Sequence, residues 1–344
     1  MGLVVVHTGA GNFVNEENYK VLCKKACRVA TELLDAGGSA VDACEKAITI
    51  LEDSCHTNAG FGSNLTWDRK VECEAGIMDS KSTNFGACTC VSNVKNPISL
   101  ARKICDKQSS LFHFGRIPPI LLSSDGASEF AKETGITLVT MDQLISKKAS
   151  NTYNYYRSKI NEFERMNLIE VGPLDTVGAI AIDNDGNVAA GCSSGGIVLK
   201  LSGRVGQAAC YGAGCWSQKV DNHSTAVCTT GNGEYLIKTL LAREISCELL
   251  NCDCPTTKLN QVFNEKFLKS PLLPPSQEYY GGCLVIDYNS DTNRGDLLWA
   301  HTTKMLCLAY KSSKMKTSKF IASSLPDPNQ AGNKVIVSGI PFSL

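Results

Sequence analysis

The sequence predicts an α/β protein with sheets sandwiched between helical layers. Blocks of short apolar runs, ended by turn residues, alternate with segments of helical periodicity. Several of the strand-like runs, such as Val177-Gly178-Ala179-Ile180-Ala181-Ile182, are almost wholly apolar. Strands of that kind belong to sheets covered on both faces. At 344 residues and 43% hydrophobic content the chain can bury a sizeable core, in one large domain or two modest ones.

The elements follow in order. Residues 3–7 form an apolar first strand, ended by a glycine-rich turn, Thr8-Gly9-Ala10-Gly11. That turn lacks the second half of a dinucleotide-binding fingerprint. A helix is expected over residues 18–34, stopping at Gly37-Gly38. Ser39 then caps a second helix, whose Ala40, Ala43, Cys44, Ala47, Ile48 and Leu51 share one face. Thr57-Asn58-Ala59-Gly60-Phe61-Gly62 is a glycine-rich loop, followed by strands at 71–78 and 85–91. Asn96-Pro97 opens a helix through Cys105, and Ile120 to Leu122 is a short apolar run. Residues 146–173 loosen into a polar stretch that reads as a solvated, partly helical connection.

In the second half, residues 177–182 and 188–192 flank an Asp183-Asn184-Asp185-Gly186 turn and read as a β-hairpin. A strand at 225–230 precedes one helix carrying Leu236, Ile237, Leu240, Leu241 and Ile245. Strands at 283–287, 297–301 and 305–310 are expected to complete one sheet.

Composition excludes some functions. Lys plus Arg and Asp plus Glu both total 34, so no basic excess is available to hold nucleic-acid phosphates. No apolar run reaches the length of a membrane span. Seventeen cysteines are many, yet several sit inside apolar patterns and no secretory signal opens the sequence, so a reducing intracellular compartment is expected. The close pairs Cys88/Cys90 and Cys252/Cys254 lack metal-ligand spacing, so neither a metal nor a cofactor is expected.

The chemistry centres on Leu174-Asp175-Thr176-Val177-Gly178, where a polar stretch ends at Asp175 and a strand begins with a threonine. A threonine hydroxyl is a poor nucleophile without a nearby base. If the Asp175–Thr176 bond is cut, the freed α-amine of Thr176, with an ordinary pKa of about 7.7–8.0, can serve as that base. Ser193-Ser194-Gly195-Gly196 ends the hairpin's second strand and offers hydroxyls one strand away. Gly203-Arg204-Val205-Gly206-Gln207 supplies a guanidinium between glycines, suited to a carboxylate. Thr230-Gly231-Asn232-Gly233 places a hydroxyl and free amides at a helix start, suited to an oxyanion or carboxylate.

Together with Thr57-Asn58-Ala59-Gly60, Ile77-Met78-Asp79 and Gly115-Arg116-Ile117-Pro118-Pro119, these stretches resemble the threonine aspartase (taspase) branch of the type-2 asparaginase family. Members of that family are N-terminal-nucleophile hydrolases. The resemblance implies a four-layer αββα sandwich formed by residues 1–344 as one domain. It implies self-cleavage into residues 1–175 and 176–344, with 146–173 as a pre-cleavage linker, and assembly of the pieces as an α2β2 heterotetramer. Carried over by motif, Thr176 is the nucleophile and Asp175 the new C-terminus. Ser194, Thr230, Gly231 and Asn58 assist catalysis, Arg204 grips a carboxylate, and Gln207, Gly233 and Gly9 shape the pocket. Gln207 stands where small-molecule asparaginases of the family carry an aspartate for the substrate amine. That difference points to an endopeptidase cutting after aspartate in protein substrates such as transcription regulators, in nucleus and cytoplasm. The departures Glu74 and Ser80 around Ile77-Met78-Asp79 are unexplained by the resemblance.

Three other readings compete. Gly191-Cys192-Ser193-Ser194-Gly195 fits a hydrolase nucleophile elbow, with Ser193 served by His223 or His301. Within the family, an asparaginase or isoaspartyl peptidase acting on small substrates is the alternative to the endopeptidase. An uncut, non-enzymatic scaffold is the third possibility.

Overall fold

The computed structural model describes residues 2–11, 16–110, 113–163, 176–250, 252–275 and 278–344. Asp175 and residues 164–174 lie outside the described residues. The first half comprises β1 (Leu3–Gly11), α1 (Glu16–Asp35), α2 (Ala40–Glu52), β2 (Cys73–Asp79), β3 (Phe85–Val91), α3 (Pro97–Lys107), β4 (Leu121–Ser123), α4 (Ser124–Glu133), α5 (Met141–Leu144) and α6 (Lys147–Phe163). The second half comprises β5 (Val177–Ile182), β6 (Val188–Ser194), β7 (Cys215–Val220), β8 (His223–Gly231), α7 (Gly233–Thr239), α8 (Leu241–Leu249) and α9 (Pro255–Val262). It ends with β9 (Gly281–Asn289), β10 (Arg294–His301), β11 (Met305–Ser312), β12 (Lys319–Ser324) and β13 (Ile336–Phe342).

The strands form an eight-stranded sheet, ordered β12-β11-β1-β5-β6-β2-β3-β4, and a five-stranded sheet, ordered β13-β10-β9-β8-β7. Period-two alternation sends side chains of the larger sheet into two different cores. Leu3, Val5, Ile180, Ile182, Ala190 and Cys192 face the smaller sheet and meet Cys228, Leu284 and Ile286. Val4, Val6, Ala179, Ala181 and Ala189 face outward and pack on Cys27, Ala30, Cys44, Ile48 and Leu51 of α1 and α2. Leu241, Ile245, Leu249 and Phe263 cover the smaller sheet from its other side. The αββα sandwich is therefore realised, with each buried Ile, Leu or Val contributing roughly 1.5–3 kcal/mol.

Local chemistry explains the element ends. Ser39 caps α2 as expected, its Oγ accepting from the Asp42 amide while Asp42 Oδ2 accepts from the Ser39 amide. Asp183 fastens the β5–β6 turn by accepting from the amides of Asp185 and Asn187, both at 3.0 Å.

Four expectations are corrected. The stretch after residue 7 is no turn: β1 continues to Gly11 through a bulge between His7 and Ala10, with Gly9 at φ +111°. The helix after Gly233 breaks at Leu240, whose φ of 46° redirects the chain so that Leu241, Ala242 and Ile245 bury against the sheet. β11 leaves its sequence neighbours β9 and β10 and pairs with β1 in the larger sheet. The hairpin's second strand runs on to Ser194, which carries both serines into the sheet. Residues 147–163 of the loose stretch are helical, within the partly helical connection expected there. Among the described residues no helix is long and apolar enough to cross a membrane.

Candidate active site

Thr176 sits immediately before β5, in the middle of the larger sheet, and is 5% exposed. Antiparallel pairing of Val177 with Ser193 sets Thr176 opposite Ser194, so the two hydroxyls meet: Thr176 Oγ1 donates to Ser194 Oγ at 3.4 Å. Thr176 Oγ1 also accepts from Gln207 Nε2 at 3.0 Å. Ser194 Oγ in turn accepts from the Gly196 amide at 2.9 Å, which fixes its rotamer. The nucleophile candidate is thus held between a hydroxyl and an amide on two separate segments.

The other predicted residues gather around this pair to differing degrees. Asn58 does not touch Thr176. Its Nδ2 donates to the Gly196 carbonyl at 2.8 Å, its Oδ1 accepts from the Asn64 amide, and its own carbonyl accepts from Gly195. Asn58 therefore builds the turn that presents Ser194. Thr230 ends β8 on the facing sheet, fully buried, with its Oγ1 lacking a hydrogen-bond partner among the described residues. An orphaned buried hydroxyl is costly to keep, which suits a donor reserved for a substrate oxygen. Gly231 follows at φ +138°, backed against Tyr280. Gly233 lies over both substrate-gripping candidates: a Cβ there would come within 2.9 Å of Arg204 Nη2 and of Gln207 Oε1. Gly9 acts at one remove, its amide donating to His7 Nδ1 at 3.2 Å.

Three residues to which the sequence reading gave no role complete the surroundings. Glu234, in the first turn of α7, accepts from Arg204 Nε at 2.8 Å and Nη2 at 2.7 Å. Partial burial raises its pKa, but the Arg204 hydrogen bonds outweigh that and hold the carboxyl below its ordinary range. Glu74 lies under the same guanidinium, almost fully buried. Its Oε2 accepts from the Gly206 amide at 2.7 Å, and its Oε1 has no hydrogen-bond partner among the described residues. Burial pushes the Glu74 carboxyl up, opposed by Lys200, the Gly206 amide and Arg204. The departure noted at Glu74 is thereby accounted for: it braces the Arg204 loop. Ser80, the other departure, accepts from the Val188 amide at 2.8 Å and anchors β6.

His7 is the third. It pairs with Gly178 across the β1–β5 ladder, and a Cβ at Gly178 would come within 2.3 Å of its Nε2. Burial pushes His7 down to about 3, while the Thr176 backbone draws it the other way, so the ring is neutral. A ring nitrogen of His7 and the sulfurs of Cys192 and Cys228 lie within 4.8 Å of one another, a trio of metal-ligand type. The ring argues against such a seat. Nδ1 accepts from Gly9, so the proton of the neutral ring resides on Nε2, which leaves neither nitrogen with a free lone pair for a metal. Burial also pushes the Cys228 thiol well up, away from the thiolate a metal needs.

The nucleophile-elbow reading fails on geometry. Ser193 points to the outer face of β6, where its hydroxyl donates to Glu52 Oε1 at 2.6 Å. His223 is engaged by Asp287 at 2.7 Å, and His301 by the Thr303 carbonyl and Ser323. Neither histidine serves Ser193, and the serine lies within a strand rather than on a strand-to-helix turn.

Comparison with known proteins gives a consistent result. The model of the family described as asparaginase matches residues 1–320. An isoaspartyl peptidase/L-asparaginase of Xenopus laevis is 39% identical over 245 residues, covering 71% of this chain and 74% of that protein. One from Danio rerio is 34% identical over 291 residues, covering 83% and 86%. An isoaspartyl peptidase of Escherichia coli (strain K12) is 31% identical over 262 residues, covering 71% and 75%.

These names correct one expectation. The relatives are isoaspartyl peptidases and asparaginases, so the endopeptidase that cuts protein substrates after aspartate gives way to the small-substrate alternative. The inference from Gln207 treated its amide as free to face a continuing peptide. In the structure its Nε2 is committed to the Thr176 hydroxyl instead. The broader recognition stands without the finer branch: with matches across 320 of its residues and down both halves of the site, the chain belongs to the asparaginase family of N-terminal-nucleophile hydrolases.

Proposed function

We propose that Thr176 is the nucleophile of a self-processing amidohydrolase acting on asparagine and isoaspartyl peptides of small size. The observation that carries this reading is the Thr176 hydroxyl, buried at a strand start and held between Ser194 Oγ and Gln207 Nε2. In the precursor that hydroxyl attacks the Asp175 carbonyl. The C–N bond breaks as the C–O bond forms, the proton passes to nitrogen, and water then hydrolyses the ester. The products are a carboxylate at Asp175 and a free amine at Thr176. The mature amine takes the hydroxyl proton as Oγ1 attacks the substrate's side-chain carbonyl carbon. The Thr230 hydroxyl and Gly231 amide support the developing oxyanion. Ammonia or an amine leaves with that proton, and water releases aspartate from the acyl-enzyme. Arg204 holds the substrate α-carboxylate.

The two pieces stay joined after the cut, because β5 and β6 remain hydrogen-bonded between β1 and β2. Mass spectrometry of the purified protein should find a fragment beginning at Thr176. The processed protein should release ammonia from asparagine and split an isoaspartyl dipeptide. Uncut wild-type protein that turns over either substrate would overturn the mechanism. Processed protein that turns over neither would overturn the substrate assignment.

A further inference from the structure

Arg204 is a planar fork with five N–H donors. Glu234 takes Nε and Nη2 in a bidentate pair along one edge, at 2.8 and 2.7 Å. The other edge, formed by Nη1 and the second N–H of Nη2, is bordered by glycines. A Cβ would come within 3.2 Å of Nη1 at Gly196, 2.9 Å of Nη1 at Gly206 and 2.9 Å of Nη2 at Gly233. A side chain at any of the three would crowd this edge, and the glycines leave it accessible. Gly196 follows the Ser194 turn, and Gly233 also overlies the Gln207 amide that touches the nucleophile.

We propose that Glu234 is a positioning residue that clamps the side-on edge of Arg204 and thereby aims its end-on edge at the carboxylate of the substrate. The reading rests on the substrate class given above. A guanidinium on a flexible stem loses rotamer freedom on binding an anion, and a bidentate partner already in place removes that cost beforehand. The solvent-facing carboxylate is therefore no surface ornament. It leaves three donors for a second, end-on bidentate contact, and it balances the cation so that the fork does not recruit a stray anion. Glu74 holds the backbone of the same loop through the Gly206 amide, and its Oε1 borders the Nη1 edge, where a Cβ at Gly206 would come within 2.7 Å of it.

The test uses the self-processed protein with Glu234→Gln and Glu234→Asp. Hydrolysis is measured on asparagine, which has the α-carboxylate, and on asparaginamide, where that group is an uncharged amide. Succinate binding is titrated by calorimetry. The clamp predicts that Glu234→Gln raises KM for asparagine and Kd for succinate about tenfold, the scale of loss expected when a binding group is left unaligned. kcat should change less than twofold, and asparaginamide turnover should be unaffected. Glu234→Asp, one methylene shorter, should recover part of the succinate affinity. Three outcomes overturn the proposal: equal losses on both substrates, which mark a general structural role; tighter succinate binding by Glu234→Gln, which marks Glu234 as a competitor for the fork; or no succinate binding by wild type. Wild-type protein that binds succinate but hydrolyses neither amide would remove the substrate assignment alone, and the succinate titration of the two variants would still decide the clamp.

Discussion

Ser193 and Ser194 are neighbours on β6 with opposite surroundings, and the contrast between the two faces of that strand separates stability from chemistry. On the outer face, Ser193 donates to Glu52 Oε1, which also accepts from the Ile98 amide at 3.0 Å. Burial pushes this carboxyl up to about 8, against the hydrogen bonds from Ser193 and Ile98. The arrangement ties α2, β6 and the start of α3 together through Oε1, while Glu52 Oε2 has no hydrogen-bond partner among the described residues. On the inner face, Ser194 looks across to Thr176, Gln207 and, on the facing sheet, the unpartnered Thr230 hydroxyl. That side holds polar groups with capacity left over. A buried carboxyl of raised pKa is a usual mark of a catalytic group. Here Glu52 sits on the structural face, and the proposed nucleophile, Thr176, is marked instead by the two polar side chains that hold its hydroxyl.

Substitutions can break this division of labour. The largest effect is expected from Thr176→Ala, which should abolish self-cleavage and lower turnover at least ~10⁴-fold, as for loss of a nucleophile elsewhere. Electrophoresis and ammonia release measure the two. If Ser193→Ala has that effect instead, the faces have been assigned the wrong way round. Next comes Arg204→Ala, which should reduce kcat/KM for asparagine about a hundredfold, the scale for truncating one partner of a buried charge pair. Ser194→Ala should slow self-cleavage by about tenfold or more, through loss of the hydroxyl aligned with Thr176. A time course on gels would show it.

The outer face should respond in stability alone. Ser193→Ala should cost about 1 kcal/mol, the usual worth of a hydrogen bond, while turnover stays within twofold. Glu52→Gln tests the raised carboxyl by its pH dependence. The folded pKa of about 8 exceeds the ordinary 4.5, so the native state binds this proton more tightly than the unfolded chain does. The stabilisation is therefore complete below pH 4.5 and lost as pH rises toward 8. Wild-type Tm should fall relative to Glu52→Gln across that window. A parallel pair of curves would show that Glu52 does not titrate there.

Much of the inner face was legible in sequence, because its signals are local. A strand start at Thr176, a tight turn and an apolar return strand define the hairpin, and the turn then fixes which residues stand opposite. The Ser39 cap and the α2 face were equally readable. What local pattern does not encode is partnership over distance. Glu234 lies thirty positions from the arginine it clamps, and nothing in Asn232-Gly233-Glu234 distinguishes that acid from an ordinary first-turn carboxylate. β11 looked like the third strand of a meander, yet its partner is β1, hundreds of residues earlier. The break at Leu240 interrupts a good helical period for the sake of tertiary packing. Asp175 is named by the sequence alone, since it lies outside the described residues.

The order of strands has a further consequence, for the moment at which the chain can act. On either side of the hairpin, β1 and β2 are supplied by residues made early, and the gap between them is two strands wide. That gap is filled only by β5 and β6, and β1's other edge waits for β11, made well after that hairpin. A nascent polypeptide thus cannot complete the sheet around Thr176 until β11 has emerged. The topology therefore postpones the alignment that the proposed self-cleavage needs until β11 has been made.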